Sequence, residues 1–445
     1  MITWQEDSPI VKAARRVAQT LRAAGFQAYW VGGCVRDARL GRDPKDIDVA
    51  TNATPEQALA LFPRALAIGA QFGVICVIDH GVQTEIATFR NDGAYVDGRR
   101  PTSVCFSTPE EDAARRDFTI NALFYDPENG EIRDFTGGQA DMQARILRAI
   151  GKPAQRFEED ALRLLRAVRF AMRFDLTIEA ETFAAIQEKA PGIHRVSAER
   201  IRDELVRIFT GPRPGAALQL ISETKLLSEV LPEVEVMHGV EQPPQYHPEG
   251  DVFTHTVLSL DHLPPDPSPT LAIATLLHDV GKPPTFVMAD RIRFNQHASV
   301  GADMVDGICR RLKFSNDERE RIVALVRDHM QFLHVQEMRP SNLRRFIGQE
   351  HFDEHLALHR CDCLSSHRNL DNYVFCQERL REYAEASTEP VLPPPFLNGD
   401  ALIRTGYKPG PHMGEILRAA HEAQLDGELH TAEEALEWVK TRYPQ

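Results

Sequence analysis

Val31-Gly32-Gly33-Cys34-Val35-Arg36-Asp37, followed shortly by Asp46-Ile47-Asp48-Val49, decides how the N-terminal part of this chain is read. The run Gln27 to Val31 reads as a strand, and it ends in paired glycines. Paired glycines at a strand-to-helix turn let backbone N–H groups approach a phosphate closely. Arg36 would add a planar fork of donors beside them. The second segment predicts another strand. Residues two apart on a strand share a face, so Asp46 and Asp48 aim at one spot while Ile47 points the opposite way. Two carboxylates so close repel unless a cation lies between them, which is the arrangement a hard Mg²⁺ ion requires. The bland alternative is a solvated strand edge. Glu85, on a third predicted strand, offers either a third carboxylate or a partner for an arginine.

Outward from this core, residues 9–24 predict an amphipathic helix with Ser8 as N-cap and Pro9 in the first turn. Strands are expected at Val74–Ile78 and Glu85–Phe89, so the chain reads as α/β to about residue 150. From Phe157 onward the pattern is helical. Gln242-Pro243-Pro244 closes a helical block, Pro264 to Pro269 predicts a surface loop, and Pro390 to Pro395 a linker. The expected parts are 1–150, 151–242, 243–370 and 371–445.

The 445 residues are too many for one ordinary core. With 42% hydrophobic and 26% charged residues, the chain reads as soluble and globular. No apolar run approaches the roughly 18 residues of a membrane span. The acidic start, Met1 to Asp7, lacks a signal-peptide core. Seven cysteines without a C-x-x-C pair suit a reducing cytoplasm. A net charge of −14 argues mildly against nucleic-acid binding. Arginines nevertheless crowd into 163–173, 195–202 and 310–311, which would bind RNA locally.

The glycine turn together with Asp46-Ile47-Asp48-Val49-Ala50-Thr51 resembles the signature of the class II tRNA nucleotidyltransferase and bacterial poly(A) polymerase family. Arg115-Arg116-Asp117-Phe118-Thr119-Ile120-Asn121-Ala122-Leu123 is similar to the family's ribose-recognition segment. Glu159-Asp160-Ala161-Leu162-Arg163 is similar to its base-recognition segment. The resemblance runs from about residue 27 to at least 235. It implies an α+β head of polymerase-β nucleotidyltransferase type, then an all-α neck, body and further helical domain. It also implies catalytic Asp46, Asp48 and Glu85 with Mg²⁺. Nucleotide would be bound by Gly32, Gly33, Arg36, Arg116, Asp117, Asp160, Arg163, Arg166 and Arg169. Arg173 is read as a solvated helix face. The implied substrates are CTP, ATP and the 3′ end of tRNA, with CCA addition the expected activity. An A-only enzyme and a poly(A) polymerase are the alternatives within the class.

The base-reading segment has its own logic. Asp160 and Arg163, three apart on a predicted helix, share a face. An ionised Asp only accepts hydrogen bonds and Arg only donates. Cytosine and adenine both present an amino donor beside a ring-nitrogen acceptor, whereas uracil and guanine present the reverse. Leaving a buried polar group unpaired costs about 1–3 kcal/mol, so the pair would select C and A. The polar, glycine-bearing run Arg90 to Pro101 predicts a mobile loop. In the family such a loop serves the change from C to A, and enzymes that add only CC lack it.

Further on, His255, His278-Asp279, His297, His329 and Asp362 follow one another on predicted helices. Seventeen histidines make some coincidence unavoidable. The order nonetheless resembles the HD phosphohydrolase superfamily. Imidazole and carboxylate ligands suit a divalent transition metal, and the extra histidines suit a second ion. Two further readings therefore stand: an HD phosphohydrolase whose head merely binds RNA, and a helical domain that grips tRNA with an idle site. The tail segment Thr405 to Pro411, ahead of a helix, resembles a C-terminal element of the same nucleotidyltransferases. It would offer N–H groups to an RNA phosphate, or form a simple capped turn.

Overall fold

The computed structural model describes residues 2, 4–67, 73–92, 104–386 and 390–444. The chain forms two compact units, Met1–Glu235 and Val236–Gln445.

The first unit opens with the helix Pro9–Ala23, which buries Val11, Ala14, Val17, Ala18 and Leu21 along one stripe. Ser8 stands at its N-cap in extended conformation, but its side chain makes no capping hydrogen bond. The strands are β1 (Ala28–Val31), β2 (Asp48–Thr51), β3 (Ala65–Leu66), β4 (Val74–Asp79), β5 (Val82–Thr88), β6 (Arg90–Asp92), β7 (Val104–Phe106), β8 (Leu123–Tyr125) and β9 (Ile132–Asp134). Seven of them form one sheet in the order β3-β4-β5-β2-β1-β8-β9, and β6 pairs only with β7. β2 runs antiparallel to β1 and parallel to β5. This mixed sheet brings the end of β1, the start of β2 and the middle of β5 side by side. Phe89 and Phe124 are fully buried with Tyr29 on one face, and Trp30 on the other, against Tyr125 and the first helix. Most of the run from Arg90 to Pro101 lies outside the described residues.

A short parallel bridge, Ile146–Leu147 with Thr177–Ile178, ties the end of the sheet region to the helices that follow. These include Pro153–Glu159, Leu162–Phe174, Ala180–Lys189 and Ala198–Phe209. Leu162–Phe174 turns Leu164, Leu165, Val168 and Ala171 inward, which leaves its arginines to follow a second stripe.

Among its described residues the second unit is helical apart from one hairpin, Phe286–Met288 with Ile292–Phe294. The sequence expectation of unbroken helix missed this hairpin, whose β-favouring Val287, Ile292 and Phe294 flank a polar turn. Pro269–Leu277 is buried on all sides from Thr270 on, as its apolar run requires. The proline-rich stretch before it is a loop between helices, as expected. Near the C-terminus, Pro411–Leu425 and Ala432–Arg442 close over their own core of Leu402, Tyr407, Met413, Ile416 and Val439. Among the described residues no helix is long and apolar enough to cross a membrane.

Candidate active sites

Gly32 sits at the end of β1 with φ +72, and a Cβ there would lie 2.8 Å from the Arg116 guanidinium. The conformation demands glycine at this turn, and a Cβ would also displace the end of the Arg116 side chain. The helix Gly33–Arg39 starts immediately after it. Arg36 is 6% exposed and turned inward. It donates to Asp37 at 2.7 Å and to Asn121 at 2.5 Å, and it stacks on Phe174 with 4.3 Å to the ring centre.

β2 begins at Asp48, so Asp46 lies just before the strand rather than in it as expected. The alternation still holds: Ile47 is buried, Asp46 exposed and Asp48 half-buried. Glu85 lies on β5, next to Ile86, which pairs with Val49. Burial, Glu85 and Asp46, in that order, push the Asp48 carboxyl up to about 6, against the opposing pull of Arg116. A carboxylate raised by burial and by two carboxylate neighbours is a site that gains from a cation.

Asp117 is buried and accepts from Asn121 at 2.8 Å and from Arg166 at 2.6 Å. Burial opposes its ionisation, but Arg166 and Asn121 hold it well below the usual carboxylate range. Arg169 is likewise spent on an internal partner, the buried Glu204, at 2.6 Å. Arg116 and Arg115 both pair with the buried Asp112. Arg173, read as solvated, reaches Asp37 at 3.4 Å.

The expectation that Asp160 and Arg163 share a helix is corrected. Asp160 closes the helix Pro153–Glu159 in an extended conformation, and Leu162–Phe174 begins two residues later. Asp160 accepts from the Leu162 amide at 3.1 Å and from Arg200 at 3.1 Å. Arg163 is 8% exposed and donates to Glu159, to the Arg156 carbonyl and to the Arg115 carbonyl. The pair is thus held by two separate networks across a turn. Arg200, in the arginine-crowded stretch 195–202, is a member that sequence reasoning did not single out.

In the second unit the residues H, HD, H, H, D come together. His278 and Asp279 follow the end of Pro269–Leu277, His255 lies on Val252–Asp261, and His297 opens His297–Arg311. His329 follows Asn316–Asp328, and Asp362 lies on Phe352–Ser365. The Nε2 atoms of His255 and His278 are 3.2 Å apart, and those of His297 and His329 are 3.3 Å apart. Asp279 stands between the pairs. Its Oδ2 is 3.3 Å from His278 and its Oδ1 is 3.7 Å from His297. Asp362 is 3.1 Å from His255. Among the described residues three ligand sets result, His255/His278/Asp279, Asp279/His297/His329 and His247/Glu249/His255, and the first two share Asp279.

Burial opposes protonation of His255, but Asp362 and Glu249 hold it up to about 9. Burial and its histidine neighbours push His329 down to about 3. Asp279 Oδ2 is buried with no well-directed hydrogen bond, although Lys282 Nζ lies 2.7 Å away. A buried carboxylate at the centre of four converging imidazoles is the donor set that suits a divalent cation. A cavity of about 890 Å³ opens onto the cluster, lined by Lys282, Arg291, Arg293, Tyr246 and Phe294 among others. Gln242, Glu249 and Lys282 were not foreseen at this site.

In the tail, Tyr407 is buried and donates to the Tyr443 carbonyl at 2.7 Å, and the helix starts at Pro411 as expected.

Three family models match the chain. These are "Poly A polymerase head domain" over 28–148, "Probable RNA and SrmB- binding site of polymerase A" over 175–237, and tRNA nucleotidyltransferase domain 2 over 294–439. The CCA-adding enzyme of Limosilactobacillus reuteri is 44% identical over 211 residues, 47% of this chain and 52% of that protein. That of Lactiplantibacillus plantarum is 40% identical over 252 residues, 56% of this chain and 62% of that one. The chain thus spans about half to three-fifths of the length of these curated relatives. The crystal structure of the Bacillus stearothermophilus CCA-adding enzyme in complex with CTP superposes with a TM-score of 0.73. It is 27% identical and covers 98% of this chain and 99% of that one.

Proposed function

We propose that this chain, which matches the poly(A) polymerase head model and resembles CCA-adding enzymes in sequence and fold, builds or repairs the 3′-terminal CCA of tRNA from CTP and ATP. The observation that carries this reading is the cluster of Asp46, Asp48 and Glu85, with Asp48 raised by burial and by the other two, beside the positive-φ turn at Gly32. Asp46 and Asp48 would hold Mg²⁺, with Glu85 beside them. When bound, the ion neutralises triphosphate charge and lowers the pKa of the attacking hydroxyl. The RNA 3′-oxygen attacks the α-phosphate, and pyrophosphate leaves. The Gly32-Gly33 turn and Arg116 take the triphosphate, and Arg36 braces that turn from beneath. Arg166 reaches the nucleotide while Asp117 fixes its orientation. Arg169 keeps its helix in place through Glu204. Asp160 and Arg163 choose the base, with Arg200 holding Asp160. The protein would act in the cytoplasm, where its RNA substrate is found. Residues 1–150 would form the catalytic head and 151–242 the neck and body.

Purified protein, labelled CTP and ATP, and tRNAs ending before the CCA, after C and after CC test this reading. Addition of C, C and A in turn is expected. Addition of A alone, only to the primer ending in CC, would assign an A-only enzyme. Indefinite A addition would assign a poly(A) polymerase.

A second reading concerns residues 243–370, where the convergence of His255, His278, His297 and His329 on the buried Asp279 favours a divalent-metal centre of HD type. His255, His278, Asp279 and Asp362 would hold one ion, and His297, His329 and Asp279 a second. Lys282 and Arg293 would face the phosphate of a phosphoester in the cavity. The full-length protein should bind a transition metal that the His278→Ala, Asp279→Ala variant loses, with CTP and ATP addition unchanged. Metal analysis that finds no ion after loading with Zn²⁺, Mn²⁺ or Co²⁺ removes this reading and leaves the first intact.

A further inference from the structure

We propose that Glu249 is a positioning residue that orients His255 and strengthens it as a ligand, so that the two ligand sets around Asp279 differ in affinity. The proposal rests on the metal-centre reading above. Three of the four histidines anchor Nδ1 in the same way, each to the backbone carbonyl three residues earlier. His278 bonds Thr275 at 2.8 Å, His297 bonds Phe294 at 3.0 Å and His329 bonds Val326 at 2.6 Å. For His278 and His329 those carbonyls lie in the last turn of a helix, where no amide follows to claim them. Each such bond fixes the tautomer with the proton on Nδ1 and leaves the Nε2 lone pair free.

His255 cannot use this device. It lies within Val252–Asp261, and the Val252 carbonyl three residues back already accepts from the Thr256 hydroxyl at 2.9 Å. A carboxylate serves instead. His255 Nδ1 is 2.7 Å from Glu249 Oε1, and His247 Nδ1 is 2.9 Å from the same oxygen. The two imidazole rings stand perpendicular, 5.0 Å apart. Glu249 is nearly fully buried, and its other oxygen has no hydrogen-bond partner.

A buried, half-satisfied carboxylate is a poor device for stability alone. Its position is explained by its effect on His255. A carboxylate behind a ligating imidazole fixes the ring and raises the basicity of the other nitrogen more than a neutral carbonyl does. The set containing His255 therefore gains a charged support that the set containing His297 and His329 lacks. His247 shares the oxygen without competing for it, because one carboxylate oxygen accepts two bonds.

Co²⁺ titration of the full-length protein against a competing chelator tests this. An Asp46→Ala, Asp48→Ala background keeps the head out of the count. The parent protein should show two affinities. Glu249→Ala should weaken the tighter one by about 10- to 100-fold and leave the other within about twofold. Glu249→Gln keeps an acceptor without the charge. It should weaken the tighter site several-fold, and it decides the matter if Glu249→Ala does not fold. His247→Ala should bind like the parent. Unfolding in excess chelator gives a readout free of metal, and a mere packing role would lower the melting temperature there without a selective change in affinity. Unchanged affinity in both Glu249 variants, equal weakening of both sites, or a His247→Ala loss as large as that of Glu249→Ala would each overturn the proposal. A parent that binds no Co²⁺ would overturn the metal reading instead.

Discussion

Asp160 lies 3.1 Å from the guanidinium of Arg200, a residue forty positions away, and not against Arg163 on the adjoining helix. Arg200 therefore sets where the base-reading carboxylate points. Both side chains are partly exposed, so the ion pair itself contributes only about 1 kcal/mol. Its main effect is orientation. Arg200→Ala should lower kcat/KM for CTP and ATP by about tenfold and raise misincorporation of UTP. Steady-state kinetics with a tRNA primer measure both. Unchanged kinetics and fidelity would remove Arg200 from the site.

Asp160→Asn tests base choice while keeping the turn at Leu162 intact. The Leu162 amide still finds its acceptor in Oδ1, while the NH₂ that replaces Oδ2 offers a donor to the base and gives up the bond from Arg200, a loss that Arg200→Ala measures separately. This group suits the carbonyl of uracil or guanine and clashes with an amino group. The expected outcome is a loss of about 10- to 100-fold in kcat/KM for CTP and ATP, from mismatched polar contacts of about 1–3 kcal/mol. Discrimination against UTP and GTP should shrink in parallel. A gentle change is needed here. Arg163→Ala would also remove bonds to Glu159 and to the Arg156 and Arg115 carbonyls, mixing base choice with loss of the turn.

What could be read in advance follows from the range of each interaction. The glycine turn and the two aspartates were legible because strand alternation is local, and Ile47 is buried between them as that alternation demands. The turn at Asp160 was not legible. Glu159 to Arg163 carries no glycine or proline, and the helix from Leu162 starts without a side-chain cap. Arg169 is expected at the nucleotide from the family resemblance; its bond to Glu204, 35 residues away, was not legible, because nothing in local spacing announces such a pair. The same holds for Asp117 with Arg166, 49 residues apart. The histidine cluster was legible by residue type. Glu249 was not, because it lies on an irregular segment where no periodicity assigns a face.

Asp48 predicts an opposition between stability and activity. Its carboxyl is pushed up to about 6, against about 3.9 in an unfolded chain. The folded state thus binds the proton more tightly. This stabilisation is fully present below the unfolded value and is lost as pH rises through about 6. At pH 7.5 the ionised group costs about 1–3 kcal/mol in metal-free protein. Asp48→Asn in EDTA should therefore melt a few degrees above wild type at pH 7.5 and equally at pH 3.5. It should gain nothing from Mg²⁺, and nucleotide addition should be abolished. Calorimetry across pH checks this, and a melting difference that does not vary with pH would contradict the clustered-carboxylate account.

Gly281, in His278-Asp279-Val280-Gly281-Lys282, carries the last prediction. Its φ of −79 is open to any residue, so the constraint is space rather than conformation. A Cβ at this position would lie 2.1 Å from the His297 carbonyl oxygen and 2.6 Å from the Gly301 amide nitrogen. Both atoms are backbone of His297–Arg311, so no side chain can rotate away to make room. Gly281→Ala must push the start of that helix outward, and His297 moves with it. Overpacking of this kind costs about 1–3 kcal/mol. The displacement should separate His297 from His329, now 3.3 Å apart at Nε2, while His255 and His278 stay together. The variant should therefore melt several degrees lower and lose affinity chiefly at the His297/His329 set. Gly301→Ala serves as the contrast, since a Cβ there comes no closer than 3.3 Å to Gly281 and should cost less. Melting curves and Co²⁺ titrations of both variants decide the point. If Gly281→Ala matches wild type in both, the close approach of these two segments does not shape the site.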